Sequence, residues 1–395
     1  MNQGEEGTLF YNLITKRKKV LNISKEVIGS IENHEKINTT NEELELLDKL
    51  CHDGFAFWSG QRVHVEPIKT NKYIYMESDR IQITKLSRLS ISLTDRCDLN
   101  CKFCKLDYSV YSSCTCQRYP NSFHEKKLEF NQWKNIIDQA VALGINECII
   151  MGGNPLLEKK TLEQIVKYLS EISIRVVIIT NGVLLNNEFI DYFKDKNVSF
   201  RIELMSYTGR DFSKLYDTFM YLKKVKLNTT IDLIVSSLNE HIVEEVENQL
   251  KNSGFFTNRI YIYPSNEFYS KKFFKHMLNP DNRTFPVNVY NFPYISNYNN
   301  CLYGQLFVNP YGTLYPCPKF RKEPLGNVLK DSLSKIYSQK NHEKFWNIPK
   351  SKVDSCNSCE LSPICFDCRA LDSYKTNNLM GMEYCEKIYK KGGGV

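Results

Sequence analysis

An alternation of apolar strands and amphipathic helices between residues 88 and 264 constrains the fold of this chain more than any other feature. Six short segments rich in Ile and Val are separated by five longer segments with helical periodicity. The strand segments are LSISL, ECIIMGG, RVVIITNG, SFRIELMS, TTIDLIVS and RIYIYP. Continuous apolar strands of this kind are typical of parallel sheets whose two faces are both covered. The repeated βα units therefore predict an α/β fold with a parallel sheet, which we assign as a partial (β/α)6 barrel of the TIM type.

Three loops at the carboxyl ends of these predicted strands carry residues from which a site can be built. The first loop, in CDLNCKFC, contains Cys97, Cys101 and Cys104. The second contains MGGNP, residues 151–155, and the third contains TNG, residues 180–182. Active sites of βα folds form at the carboxyl ends of the strands. We therefore predict one site that includes all three loops.

The first loop supplies three thiols in the pattern C-x3-C-x2-C. Thiolates at such short spacing bind zinc or iron–sulfur clusters. A tetrahedral zinc site needs a fourth ligand, for which Cys114 and Cys116 are the candidates. A [4Fe–4S] cluster with one open iron needs only the three thiolates, and the position of the loop at the functional end of the fold favours this hypothesis.

Seven further cysteines lie between residues 301 and 385. They are Cys301, Cys317, Cys356, Cys359, Cys365, Cys368 and Cys385. Two C-x2-C pairs among them allow a zinc site, but zinc ribbons usually separate their pairs by roughly 15–20 residues. Here five residues separate the pairs, and seven thiols exceed what one tetrahedral zinc ion can use. Zinc stays the alternative, and iron is the favoured interpretation.

The chain outside the alternating region divides into further segments. Residues 1–85 predict a β-hairpin at TLFYNLITKRKKVLNIS followed by two short amphipathic helices, which form a small α+β module. Residues 265–300, rich in Asn, Pro and aromatic side chains, predict a connector without regular structure. Residues 86–264 then form the core, and residues 301–388 form a cysteine-rich domain. The first module contains no chemical motif, which favours a role in recognition.

Net charge, hydrophobic pattern and cysteine count bear on the location of the protein and on its partners. The chain has 395 residues and a net charge of +7 that is spread along its length. No apolar run reaches the roughly 18 residues that a membrane helix requires, and no secretory signal pattern is present. We therefore predict a cytoplasmic protein without membrane or nucleic-acid partners. In a reducing compartment, fourteen cysteines indicate metal ligation rather than disulfides.

The string Cys97-x3-Cys101-x-Phe103-Cys104 resembles the signature of radical S-adenosylmethionine (SAM) enzymes. The resemblance implies that the amino and carboxylate groups of SAM bind the open iron of the cluster. It further implies that reductive cleavage of SAM yields a 5′-deoxyadenosyl radical, which abstracts a hydrogen atom. Phe103 would lie near the adenine of SAM.

The segment MGGNP resembles the Gly-Gly-Glu-Pro segment of the same family, whose backbone and acid hold the SAM amino group. Gly152 and Gly153 match it, whereas Asn154 stands where Glu is usual. We expect SAM to bind nevertheless, with its ammonium donating to the amide oxygen of Asn154 without the strength that a charged acceptor adds. The family also places a polar residue for the ribose or the methionine carboxylate after the fourth strand. Glu203 and Ser206 are both candidates.

The C-terminal cysteines resemble the SPASM domain, an extension of radical SAM enzymes that act on peptides and proteins. The resemblance implies two auxiliary [4Fe–4S] clusters. The outer cluster would be held by Cys356, Cys359, Cys365 and Cys385, and the inner cluster by Cys301, Cys317 and Cys368. Cys365 and Cys368 are one residue closer together than the family pattern has them. The inner cluster also lacks a fourth cysteine, so it is either open or completed from elsewhere, with Cys114 and Cys116 as candidates.

These resemblances imply an enzyme, a maturase that modifies a ribosomally made precursor peptide by an oxidative cross-link, either a thioether or a carbon–carbon bond. The N-terminal module resembles the winged-helix-like element with which such enzymes bind a leader peptide, and a plain structural extension is the alternative. A flavodoxin- or ferredoxin-type protein would supply electrons. Two other functions stay open: a maturase that oxidises a sulfatase residue to formylglycine, and a non-catalytic iron–sulfur electron carrier or scaffold.

Overall fold

The chain folds into two compact units that each combine distant parts of the sequence. The computed structural model describes residues 1–4, 7–12, 15–32, 35–56, 58, 86–99, 101, 126–204, 209–236, 239–261, 287, 292–366, 368–385 and 387–388. The first unit, here called the terminal unit, consists of residues 1–83, 278–301 and 346–395. The second, here called the core unit, consists of residues 84–277 and 302–345.

The terminal unit begins with the predicted hairpin and helices. Strands β1 (Asn2–Gly4), β2 (Gly7–Tyr11) and β3 (Lys18–Leu21) form an antiparallel sheet in that order. Helices α1 (Lys25–Glu32) and α2 (Asn41–His52) follow. The start of α2 is fixed by a capping box in which Thr40 accepts from the backbone of Glu43 and Glu43 accepts from the backbone of Thr40. Hairpin and helices thus form as the sequence predicts.

The core unit contains the six predicted parallel strands and the five predicted helices. The strands are β4 (Arg88–Ser92), β5 (Glu147–Met151), β6 (Arg175–Thr180), β7 (Val198–Leu204), β8 (Asn228–Val235) and β9 (Phe256–Tyr261). The helices between them are α3 (Phe130–Ala142), α4 (Lys159–Glu171), α5 (Asn187–Phe193), α6 (Gly209–Lys224) and α7 (Val243–Asn252). The strands pair in chain order, so every crossover moves in one direction and a right-handed crossover places all helices on one face.

The two faces of this sheet differ in polarity because side chains alternate along each strand. On one face the strands place Ile91, Ile150 and Ile178, all fully buried, and the helices supply buried partners such as Trp133. On the other face, strand register aligns Met151, Ile179 and Arg201 on neighbouring strands, and Glu203, Asp232 and Asn258 beyond them. The face opposite the helices is therefore apolar on the first strands and polar on the last three.

The sheet continues beyond the predicted strands. Strand β10 (Gln305–Val308) pairs in parallel with β4, and β11 (Thr313–Tyr315) and β12 (Gly326–Asn327) extend it in antiparallel fashion. The sequence analysis placed residues 301–388 in the cysteine-rich domain, whereas these strands belong to the core sheet. The sheet has nine strands in the described part of the chain, with β12 and β9 at its two edges, so it does not close into a complete barrel there.

The remaining helices are short. They are α8 (Phe292–Asn297), α9 (Leu333–Ser338), α10 (Glu343–Trp346) and α11 (Arg369–Thr376), with 3₁₀ turns at Pro155–Glu158, Lys350–Lys352 and Ser362–Ile364. Helix α8 lies in the segment predicted to be a connector without regular structure, and that prediction was wrong for these six residues. No helix among the described residues is both long and apolar enough to cross a membrane.

A buried histidine near the end of the core unit makes stability depend on pH. His342 is 3% exposed and stacks on the ring of Tyr337, with 4.4 Å between ring centroids. Burial, followed by the charge of Lys340, lowers the pKa of His342 from 6.5 to about 4. His342 therefore binds a proton below pH 6.5 in the unfolded chain but only below about pH 4 in the folded chain.

We expect the free energy of unfolding to fall between pH 6.5 and pH 4 by at most about 3 kcal/mol on account of this one group. Its contribution is complete above pH 6.5 and unchanged at higher pH. Urea unfolding at a series of pH values measures it. The variant His342→Phe keeps a ring against Tyr337 and should lose less stability over this interval. An identical pH dependence in both proteins would contradict the assignment.

Candidate active site and cluster sites

The loop after β4 places two of the three predicted cluster ligands at the carboxyl end of the sheet. Cys97 and Cys101 are half-buried there. The backbone N–H of Leu99 donates to the Cys97 sulfur at 3.4 Å, a contact that supports a thiolate. Five predicted site residues lie outside the described residues: Phe103, Cys104, Cys114, Cys116 and Ser206.

The two glycines of MGGNP allow the loop after β5 to touch the cysteine loop. Gly152 adopts φ +151, and a Cβ on it would lie 2.3 Å from the carbonyl oxygen of Thr94. A Cβ on Gly153 would lie 2.0 Å from the carbonyl oxygen of Arg96. Backbone hydrogen bonds of 2.8 Å from Gly153 to Thr94 and 2.7 Å from Asn154 to Arg96 join the loops. The close approach that the glycines predict is therefore an approach of two loops of this chain.

Asn154 is fully buried and all of its amide atoms are engaged. Its side-chain oxygen accepts from the backbone N–H of Leu156 at 3.2 Å and from the hydroxyl of Thr180 at 2.9 Å. Its nitrogen donates to Asp98 at 2.7 Å and to Asn181 at 3.2 Å. An amide oxygen with two donors has no lone pair left. The expectation that this oxygen accepts from the SAM ammonium does not agree with these contacts.

Asp98 and Asn181, neither of which is among the predicted site residues, contact Asn154 in this candidate site. The Asn181 amide donates to Asp98 Oδ1 at 2.9 Å and to the Cys97 sulfur at 3.7 Å. Its oxygen accepts from the N–H of Val183, as expected for an Asn-Gly turn. The available signals were the position of Asp98 directly after a cysteine and of Asn181 directly after a buried strand.

Glu203 is 3% exposed and lies on the polar face near the carboxyl end of β7. The register pairs it with Asp232 on β8, which is fully buried and forms an ion pair with Arg201. Asn258 on β9 donates to Asp232 at 2.9 Å. Arg201, Asp232 and Asn258 were not predicted, although Arg201 and Asp232 alternate with apolar neighbours in the sequence. The structure thus surrounds Glu203 with polar groups.

Four cysteines of the terminal unit line one cavity. They are Cys356, Cys359, Cys365 and Cys385, the set that the SPASM resemblance assigns to the outer cluster. Lys350, Met382 and Lys387 also line it. Burial raises the pKa of the Cys359 thiol, so ligation has to displace its proton. The sequence spreads these four cysteines over thirty residues, and the fold gathers them.

A buried ion pair holds the last of these cysteines near the others. Arg369 and Asp372, on α11, are both almost fully buried and lie 3.0 Å apart. The guanidinium also donates to the carbonyl of Gly381 at 2.8 Å. The other carboxylate oxygen accepts from the backbone N–H groups of Glu383 and Tyr384 at 2.9 and 3.0 Å. These contacts fix the segment that precedes Cys385.

The predicted inner-cluster ligands are divided between the two units. Cys301 and Cys368 belong to the terminal unit and Cys317 to the core unit. Cys368 stands at the N-cap of α11 and does not line the four-cysteine cavity. The outer assignment thus has a geometric basis, and the inner assignment stays a prediction.

The four-cysteine cavity fits an iron–sulfur cluster better than a single metal ion. In the described ranges no three His, Cys, Asp or Glu side chains are placed to hold one ion. A [4Fe–4S] cluster is larger than an ion, and soft thiolates are the ligands that it takes. The donor set therefore fits the group. At the other site, the half-buried thiols of Cys97 and Cys101 suit a cluster.

Two protein-family models match parts of this chain. Residues 91–250 match the model of the radical SAM superfamily. Residues 300–360 match that of SPASM, an iron–sulfur cluster-binding domain.

Individual relatives include two curated proteins and two solved structures. The radical SAM cyclopropyl synthase TigE of Paramaledivibacter caminithermalis is 22% identical over 92% of this chain and 85% of its own length. The antilisterial bacteriocin subtilosin biosynthesis protein AlbA of Bacillus subtilis is 22% identical over 72% of this chain and 68% of its own. Native anSMEcpe with bound AdoMet gives a TM-score of 0.57 at 16% identity, covering 77% of this chain and 95% of its own. Streptococcus suis SuiB bound to precursor peptide SuiA gives 0.51 at 14% identity, covering 98% and 100%.

These matches and the geometry agree on the cofactors, which are [4Fe–4S] iron–sulfur clusters and SAM. The solved structures share the fold at low sequence identity. The chain is a radical SAM enzyme with a SPASM domain.

Proposed function

We propose that this enzyme is a maturase that installs an oxidative cross-link, a thioether or a carbon–carbon bond, in a ribosomally made precursor peptide. The observation that carries the proposal is the cavity lined by four cysteines in the terminal unit. A cluster held there gives the protein an electron acceptor apart from the cluster that binds SAM. The names of AlbA, a bacteriocin biosynthesis protein, and of the SuiB complex with a precursor peptide support a peptide substrate.

With its cofactors bound, the site would supply a 5′-deoxyadenosyl radical from SAM, and the residues of the chain then bind and shield the substrate. A peptide cross-link removes two hydrogens: one leaves as an atom to the adenosyl carbon, and the other leaves as a proton while its electron passes to an oxidant. We assign the outer cluster, or an inner cluster held by Cys301, Cys317 and Cys368, as the path for this electron. A flavodoxin- or ferredoxin-type protein would reduce the SAM-binding cluster.

The terminal unit offers a place for a leader peptide. Strand β3 forms an edge of the three-stranded sheet, and an extended peptide can add to such an edge through backbone hydrogen bonds. The turn and strand carry Lys16, Arg17, Lys18 and Lys19, which suits a leader with acidic residues. On the same sheet, Leu9 of β2 packs with Leu361 and Ile364, and Cys359 lies against that cluster. The sheet and the four-cysteine cavity are thus parts of one packed unit.

The test is a reaction of the anaerobically reconstituted enzyme with SAM, dithionite and the peptide encoded by a short reading frame beside its gene. We expect 5′-deoxyadenosine and a peptide lighter by about two hydrogens for each cross-link. A hydrazide probe separates the two oxidative outcomes, because formylglycine has an aldehyde and a cross-link has none. A peptide that reacts with the probe favours the formylglycine alternative. A peptide of unchanged mass beside abundant 5′-deoxyadenosine would contradict the proposed substrate.

A further inference from the structure

We propose that Asp98 supplies the carboxylate that accepts a hydrogen bond from the amino group of SAM, in place of the acid that position 154 lacks. The inference rests on the proposed function only in that SAM binds beside the cysteine loop. It concerns which residue of this chain provides the charge.

Asn154 cannot accept a hydrogen bond from the amino group of SAM. Thr180 and Leu156 occupy both lone pairs of its amide oxygen, and its nitrogen is a donor. A donor cannot accept a hydrogen bond from the amino group of SAM. With Asn where the family has Glu, residue 154 therefore offers SAM no acceptor.

The hydrogen bonds of Asn154 and Asn181 hold the carboxylate of Asp98 in place instead. The amides of Asn154 and Asn181 both donate to Oδ1 of Asp98, at 2.7 and 2.9 Å. Both amides are almost fully buried, whereas Asp98 is exposed. Two fixed donors on one oxygen hold the carboxylate in place, beside the thiol of Cys97. All contacts that the described residues make with this carboxylate fall on Oδ1, which leaves Oδ2 available to a ligand.

Two other acids around the cysteine loop already have partners. Glu158 pairs with Arg96 and Lys127, and the carboxylate of Asp95 accepts from the hydroxyl of Tyr311 at 2.9 Å. Among the residues that the structure describes, no Lys, Arg or His forms an ion pair with Asp98. An exposed carboxylate held by two donors is a suitable acceptor for the amino group of SAM, and a charge-assisted bond is about twice as strong as a neutral one.

The test measures binding rather than turnover. Asp98→Asn, in full-length protein loaded with clusters and matched for iron content, should bind SAM about 10–100-fold more weakly, as expected for one charge-assisted bond. S-adenosylhomocysteine should lose affinity similarly. Its deaminated analogue, 5′-(3-carboxypropylthio)-5′-deoxyadenosine, should bind both proteins equally, because it has no amino group to donate to residue 98. Asp95→Asn is the matched control in the same loop, and it should bind SAM normally.

A charge-relocation variant makes the test independent of local damage. Asp98→Asn combined with Asn154→Asp returns one carboxylate to the same network, and we expect it to recover at least about tenfold of the lost affinity. The inference would be overturned if Asp98→Asn lost affinity for SAM and for the deaminated analogue equally, or if its affinity for SAM were unchanged. A parent protein that does not bind SAM at all would instead overturn the proposed function, so the two failures are distinguishable.

Discussion

Replacing Cys101 by Ala should abolish SAM cleavage. The variant removes one of the thiols that the loop after β4 presents, and a cluster with one open iron has no spare protein ligand. We expect 5′-deoxyadenosine to fall by more than about 100-fold, since even the outer partners of a metal ligand are worth about 10–100-fold. Iron content should fall by about four atoms per chain, from the roughly twelve that three clusters contain.

The matched control is Cys148→Ala in β5 of the same unit. Cys148 is fully buried, and burial raises the pKa of its thiol to about 12, which marks it as a packing residue. Its removal leaves a small cavity and should cost some stability but no iron. Loss of iron from both variants would point to general unfolding. Full 5′-deoxyadenosine formation by Cys101→Ala would refute the assignment of the loop, whereas a parent protein that forms no more of it than Cys101→Ala would favour the electron-carrier hypothesis.

Replacing Cys359 by Ala should separate the two halves of the reaction. The variant removes one ligand from the four-cysteine cavity of the terminal unit, which is distinct from the cysteine loop of the core unit. We expect iron to fall by about four atoms per chain. SAM cleavage should continue, while cross-linked peptide should fall by more than about tenfold because the substrate radical loses its electron acceptor.

Cys51→Ala is the control for this second variant. Cys51 lies on α2 in the same unit, and it does not line the four-cysteine cavity. It should keep its iron and its peptide product. Peptide cross-linking that persists in Cys359→Ala at the parent rate would show that the outer cluster takes no electron. Iron content unchanged in Cys359→Ala would show that these cysteines do not hold a cluster.

The regular part of the fold could be predicted from sequence because its signals are local. Each of the six parallel strands is a short apolar run, and each helix between them has its own periodicity, as in α3 with Trp133, Ile136, Ile137 and Ala140 buried. Strands β10 to β12 have only two to four residues each. The pairing of β10 with β4 joins segments more than 200 residues apart in the chain, which no local pattern records.

The candidate site, too, could be predicted from sequence only in part. The SPASM resemblance assigns four cysteines to the outer cluster, and the structure gathers those four around one cavity. The relation between Asp98 and Asn154 depends on two loops that lie 56 residues apart and meet through backbone contacts at two glycines. Sequence alone shows that an acid is missing at Asn154. It does not show that the neighbouring loop brings another.

The most direct measurement of the central claim follows a hydrogen atom from peptide to cofactor. The precursor peptide is prepared fully deuterated at carbon and incubated with the enzyme, SAM and reductant, and 5′-deoxyadenosine is analysed by mass spectrometry. We expect 5′-deoxyadenosine that carries deuterium, formed together with the cross-linked peptide. A cross-linked peptide accompanied only by unlabelled 5′-deoxyadenosine would contradict hydrogen-atom abstraction from the peptide.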